Sequence, residues 1–244
     1  MADLRIAFIG DSQGEALFPR LEKRLGQALT LLGIPHKLSV VFSRAQRGWA
    51  ERNYQVDNTL PQQLADAAPN VVVIELGGNN STKNTATYLE SVRWMLDAAR
   101  ASGAGKIIWL GPAAATKEPF KANKEWTRNT QSTALPAEDD VAWVDMFPFT
   151  ATGQGADGVH FITSHYDKWA TQLAKALAPL LREIPDSRRV ARGEGEPKER
   201  SLLPYVGGGI ALLVVAGFLV QTVRARLFRP RRKSDRPLIS NRDR

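Results

Sequence analysis

Three short stretches carry residue types that together could do acyl-transfer chemistry. The first is Gly10-Asp11-Ser12-Gln13-Gly14, which follows directly on the apolar run Ile6-Ala7-Phe8-Ile9. The serine therefore falls at a strand-to-helix turn. An oxygen there is exposed and lies near a helix N-terminus, which favours a developing anion. Gly10 permits a tight turn and Gly14 a close approach of backbone. The second is Gly77-Gly78-Asn79-Asn80, which follows Val71-Val72-Val73-Ile74-Glu75-Leu76. Asn79 offers a neutral amide donor, the kind an oxyanion hole needs. The third is Asp157-Gly158-Val159-His160-Phe161. His160 could take the serine proton as general base, with Asp157 fixing its tautomer and stabilising the imidazolium.

Each stretch alone also fits a plainer description. Ser12 suits a helix N-cap, and Gly-Gly-Asn-Asn suits a turn. Asp157 suits a loop, and His160 a satisfied surface histidine. Of the other two histidines, His36 follows Pro35 in a loop, and His165 begins a helix without an acid placed like Asp157. The combination is what singles the stretches out: serine, donor asparagine and Asp-x-x-His occur in this order, each after a strand or before the last helix.

The elements that must position them follow from apolar patterning. Strands are expected at Leu4–Ile9, Leu38–Phe42, Val71–Leu76 and Lys106–Leu110, with a weaker one at Val141–Val144. Apolar runs of this length bounded by Gly or Pro suit strands buried on both faces. Helices are expected at about 14–33, 60–68, 84–102 and 165–183. Within Thr85–Arg100, the residues Tyr88, Leu89, Val92, Met95 and Leu96 share one helical face. Strands alternating with helices imply an α/β domain with a mostly parallel sheet. Ligands of such sheets bind at the carboxyl ends of the strands. No internal repeat and no metal-ligand cluster stands out. Trp49, Trp109 and Trp126 could line a pocket, though aromatic residues near sheet edges are more often core.

The 244 residues suit one such domain, over residues 1–182, plus an appendage. With no cysteine, disulfides, thiolate metal sites and a cysteine nucleophile are excluded. The redox compartment is left open. The net charge of +8 resides in residues 182–244, which hold 15 Lys/Arg against 7 Asp/Glu. Its location points to a membrane surface rather than to nucleic acid. Residues 183–201 read as a charged linker. Residues 202–223 are apolar and uncharged, and as a helix their roughly 20 residues would cross about 30 Å of hydrocarbon. Gly207, Gly208, Gly209 and Gly217 give weak support to self-association there. The basic tail, 224–244, places seven Lys/Arg in the first thirteen residues after the segment. The positive-inside rule puts that tail in the cytoplasm. The N-terminus has no signal-peptide pattern, so a tail-anchored protein with a cytoplasmic domain stays open as well.

The three stretches resemble the SGNH, or GDSL-like, hydrolases over roughly residues 4–182. The family's Gly-Asp-Ser block is similar to Gly10-Asp11-Ser12, and its Gly-x-Asn-Asp block to Gly77-Gly78-Asn79-Asn80. Its Asp-x-x-His block is similar to Asp157-Gly158-Val159-His160. Ser43-Arg44-Ala45-Gln46-Arg47-Gly48 is similar to the block whose glycine N–H joins the oxyanion hole. The resemblance implies a three-layer α/β/α flavodoxin-like sandwich and ester hydrolysis through an acyl-enzyme. Ser12, Asp157 and His160 would form the triad. The Ser12 and Gly48 N–H groups and the Asn79 side chain would hold the oxyanion, with no metal or cofactor. Three departures exist. The leucine of the first block is replaced by Gln13, and Ser43 stands where the family often has asparagine. Asn80 replaces an acidic residue, which is expected to loosen the hydrogen bonds around it. The family's substrates include lipids, acetylated sugars, peptidoglycan acetyl groups and thioesters, so the resemblance does not select one, and it is the apolar segment that favours an ester near a bilayer or in a cell envelope, on an acylated carbohydrate or lipid. A competing expectation is a non-catalytic, membrane-anchored binding or structural protein on the same fold. The intact set of residues argues against it. A phosphate binder lacks the P-loop lysine and the spaced glycines it would need.

Overall fold

A computed structural model describes residues 4–43, 50–80 and 82–182. Gly48, Trp49, the linker, the apolar segment 202–223 and the basic tail lie outside the described residues. Five strands form one sheet: β1 (Leu4–Gly10), β2 (His36–Ser43), β3 (Val71–Glu75), β4 (Lys106–Leu110) and β5 (Val141–Val144). Their order is β2-β1-β3-β4-β5, and every neighbouring pair is parallel. The expected β4 and β5 are found with the same bounds, and β2 starts earlier than expected.

Among the described residues seven α-helices lie between or after the strands: α1 (Ser12–Leu31), α2 (Ala50–Asp57), α3 (Leu60–Ala67), α4 (Thr85–Ala101), α5 (Phe120–Ala134), α6 (Phe147–Thr150) and α7 (Thr163–Arg182). Alternation of side chains along the strands feeds two cores. Phe8, Val73, Ile108 and Leu110 meet α1 and α7 on one face. Ile9, Val72, Ile74 and Trp109 meet α2, α3 and α4 on the other. The β-branched run of β3 suits a strand covered on both sides, and all five of its residues are buried. Leu21 and Leu25 of α1 join Leu173 and Leu177 of α7 in the first core, each burial worth about 1.5–3 kcal/mol.

Chain direction across the sheet reverses at β1, because β2 lies on one side of it and β3 on the other. In an open parallel sheet that reversal leaves a crevice above the carboxyl ends of the two central strands. The turn after β1 delivers Ser12 there, and the turn after β3 delivers Asn79.

Helices α1, α3, α4 and α7 occur where expected. Helices α2, α5 and α6 were not foreseen. The buried residues of α5 are Lys124, Thr127 and Gln131, so hydrophobic periodicity has nothing to register. Trp109 is fully buried in the second core, as an ordinary core residue. Trp126 packs edge-on against Tyr88. Among the described residues, no helix is long and apolar enough to cross a membrane.

Candidate active site

Helix α1 starts at Ser12, and its cap is the preceding Asp11, whose Oδ1 accepts the Gln13 N–H at 2.9 Å. An aspartate in that position satisfies an orphan donor of the first turn. The N-cap role open to Ser12 from sequence is therefore taken by its neighbour. Gly10 is required by packing, since a Cβ there would lie 2.6 Å from the Phe18 ring.

The Ser12 hydroxyl lies 3.0 Å from His160 Nε2. His160 Nδ1 lies 2.7 Å from Asp157 Oδ2. An ionised carboxylate only accepts, so the imidazole proton sits on Nδ1 and Nε2 is left to accept from Ser12. Asp157 Oδ1 also accepts the backbone N–H groups of Val159 (2.9 Å) and His160 (3.0 Å). Desolvation pushes the Asp157 carboxyl up, but these hydrogen bonds outweigh it and hold it down at about 2. Both side chains are about half exposed, so the pair is open to solvent.

The turn that holds the pair is braced from outside. Gly158 has φ 68°, and a Cβ there would meet the Lys117 Cβ at 2.7 Å, so only glycine fits. Its carbonyl accepts the Thr116 N–H at 2.9 Å. The Val159 carbonyl accepts from Gln13 Nε2 at 3.0 Å, which ties the histidine turn to the serine turn.

Asn79 follows Gly77, whose φ of 113° lies in the left-handed region. Asn79 Nδ2 donates to Asp11 Oδ2 at 2.8 Å, so the serine and asparagine turns are also joined. The loosening expected at Asn80 does not occur. Asn80 is buried, donates to Thr127 Oγ1 at 3.0 Å and accepts from the Thr82 N–H at 3.0 Å. An amide can donate and accept at once, as a carboxylate cannot.

Of the sequence candidates, Ser12, Asn79, Asp157 and His160 thus come together at one sheet edge. Gly48 lies outside the described residues. His36 is the first residue of β2, at the amino end of that strand and so at the opposite sheet edge, with Nδ1 against the Ile34 carbonyl at 2.9 Å. His165, in the first turn of α7, packs against Gly153. Among the described residues no cluster of His, Cys, Asp and Glu could hold a metal ion.

Sequence reasoning missed a layer of buried ionisable side chains beneath the site: Asp11, Glu51, Glu75 and Lys124, none more than 1% exposed. Burial raises Asp11, against the Gln13 N–H and the Lys124 charge. Glu75 is raised well above the carboxylate range by burial first and then by Asp11. Burial pushes Glu51 up to about 7 despite the hydrogen bond from the Tyr88 hydroxyl at 2.8 Å. A carboxyl raised on folding contributes stability that is present below its unfolded pKa and lost as pH rises through the folded one. Glu51→Gln is therefore expected to be near neutral at pH 5 and stabilising at pH 8, by at most about 3 kcal/mol. Thermal unfolding at the two pH values checks this, and an equal effect at both would contradict it.

Solved structures share the fold at low sequence identity. A family 3 carbohydrate esterase of Clostridium thermocellum is 18% identical, with a TM-score of 0.57 over 74% of this chain and 98% of that one. An acetylxylan esterase of Geobacillus stearothermophilus, solved as a catalytic mutant, is 13% identical, with a TM-score of 0.56 over 74% and 95%. A psychrotrophic esterase of Pseudoalteromonas is 13% identical, with a TM-score of 0.55 over 73% and 100%. No match is found among curated proteins. Residues 8–168 match the family described as GDSL-like lipase/acylhydrolase, and with two thirds of its length inside that match the chain belongs to this hydrolase family.

Proposed function

We propose that the domain is a serine esterase that removes O-acetyl or acyl groups from an envelope carbohydrate or lipid, and that residues 202–223 anchor it in a membrane. The observation that carries the catalytic reading is the unbroken hydrogen-bond chain from Ser12 through His160 to Asp157. Ser12 Oγ bonds to the ester carbonyl carbon while its proton passes to His160 Nε2. The carbonyl electron pair moves onto oxygen, which the Ser12 N–H, the Asn79 amide and the Gly48 N–H hold. The intermediate collapses, the carbon–alkoxide bond breaks, and His160 returns the proton to the leaving alcohol. Water, deprotonated by His160, then attacks the acyl-enzyme, and Ser12 leaves with that proton. Asp157 stays ionised throughout and stabilises the imidazolium.

Asn79 has two amide protons, and Asp11 takes one. The other is available to the oxyanion. Carbohydrate O-acetyl groups are favoured as substrate because two fold relatives are a carbohydrate esterase and an acetylxylan esterase. The half-exposed His160 and Asp157 suit an ester carried on a large polymer.

Labelling tests the proposal directly. A fluorophosphonate should add to the full chain with its mass on the Ser12 peptide, and p-nitrophenyl acetate should be hydrolysed. Label on another residue, or none on a folded enzyme, would sink it. Asn79→Ala is expected to lower kcat on that ester by about 10²–10³-fold. For the anchor, the full chain should stay with membranes through an alkaline wash, whereas extraction by the wash would argue against a spanning segment.

A further inference from the structure

Helix α5 carries one buried cation. Lys124 is 1% exposed, and its ammonium makes no hydrogen bond. A lysine with its charge out of water is costly unless it faces an opposite charge. Its surroundings are defined by the bare side of Gly78, in the turn that leads to Asn79. A Cβ built there would lie 3.6 Å from Lys124 Cε, 3.5 Å from Asp11 Oδ2 and 3.6 Å from Gln13 Oε1. Those two oxygens belong to the residues that join the halves of the site. Asp11 Oδ2 accepts from the Asn79 amide. Gln13 donates to the carbonyl next to His160, and its own Oε1 is buried without a donor.

Resting on the esterase reading, we propose that Lys124 is a positioning residue: it is the buried counter-charge of Asp11, and through Asp11 it keeps the Asn79 amide aimed at the oxyanion. Burial lowers the Lys124 pKa, and three carboxyl groups on other elements oppose that, Asp11 after β1 first, then Glu75 at the end of β3 and Asp157 in the turn before α7. Asp11 raises Glu51 of α2, and Glu51 in turn raises Glu75, while His160 joins Lys124 in lowering Asp11. Glu75 is the wrong partner, because burial and the Asp11 charge together favour its neutral form. Asp157 is half exposed and already paired with His160. Asp11 accepts from the Gln13 N–H and the Asn79 side chain, bonds that are stronger to a carboxylate than to a neutral acid. Among the charges that act on it Lys124 is the largest to oppose the raising effect of full burial, after the Gln13 N–H and ahead of His160. It touches no reacting atom, so its effect on turnover passes through Asn79.

Lys124→Met keeps the length of the side chain and removes the charge. Asp11 then loses a charge that opposes the effect of its burial, its carboxyl is raised further, and its grip on the Asn79 amide weakens as it takes up a proton. We expect kcat on p-nitrophenyl acetate to fall by about 10-fold or more while KM stays within about 3-fold. The kcat profile should gain an acid limb beyond the one that His160, as general base, already gives wild type. Asp11→Asn in the same chain should abolish that limb, because the titrating carboxyl is gone. A readout independent of turnover is the Asn79 side-chain amide signal in NMR. In Lys124→Met it should show a pH-dependent step that is absent both from wild type and from the variant that also carries Asp11→Asn. Lys124→Gln serves the same purpose if the methionine variant does not fold. An unchanged kcat profile and an amide signal that follows that of wild type in a folded variant would overturn the proposal. So would a lowered kcat whose pH profile matches wild type, since a merely structural loss does that. Wild type without turnover but with the amide titration altered by the substitution would overturn the esterase reading and leave this one standing.

Discussion

Ser12→Ala will leave a folded domain whose kcat for ester hydrolysis is lower by about 10⁴–10⁶-fold, the range seen when a triad nucleophile is removed. The change deletes one oxygen, and the hydrogen bond that oxygen makes runs to His160. Helix α1 does not depend on it, because Asp11 provides the cap. Stability should therefore stay within about 0.5 kcal/mol of wild type. Kinetics on p-nitrophenyl acetate beside a thermal melt check both halves of this expectation. Retained activity would place the nucleophile elsewhere, and a large loss of stability would show that Ser12 serves the fold.

Asp157→Asn should be nearly as damaging, with kcat lower by about 10⁴-fold and KM little changed. The reasoning concerns proton placement. Oδ1 of the present carboxylate accepts two backbone N–H groups, and Oδ2 accepts from His160 Nδ1. An asparagine would keep its oxygen on the backbone donors and turn its NH₂ toward Nδ1. Nδ1 would then have to accept, and the ring proton would move to Nε2. A protonated Nε2 cannot take the proton of Ser12. A loss below about 10-fold would mean that the imidazole finds its tautomer without Asp157. The low pKa of Asp157, about 2, has a stability consequence of defined sign. Its contribution is present above the ordinary carboxylate pKa and is lost as pH falls through the folded value. Half exposure keeps that contribution small.

The strands were legible because they are buried on both faces and read as unbroken apolar runs, as Val71–Ile74 does. The turns that hold Ser12, Asn79 and His160 were legible as chemistry because each follows a strand or precedes α7. What lay beneath them was not. Lys124 sits in a helix of Phe, Lys, Asn, Glu and Thr, and a lysine in such company reads as solvated. The carboxyl group that acts on it most, Asp11, is remote in sequence, and no local pattern brings the two near. Glu51 is hidden for the same reason, since its partner Tyr88 lies on another helix. Asp11 itself stood in the Gly-Asp-Ser block, and its cap position was readable. Its bond to Asn79 was not, because that depends on β1 and β3 being neighbours in the sheet.

The packing of α1 against α7 has a consequence for the order in which this enzyme comes into being. On the ribosome, Ser12 and Asn79 are made early, whereas His160 and the helix that covers the α1 face come last. Domains fold as units during synthesis. A nascent chain that has finished α5 already carries the proposed nucleophile, Ser12, yet it has neither the proposed base, His160, nor the closing side of its first core. On that proposal hydrolysis begins only once residues through α7 have emerged.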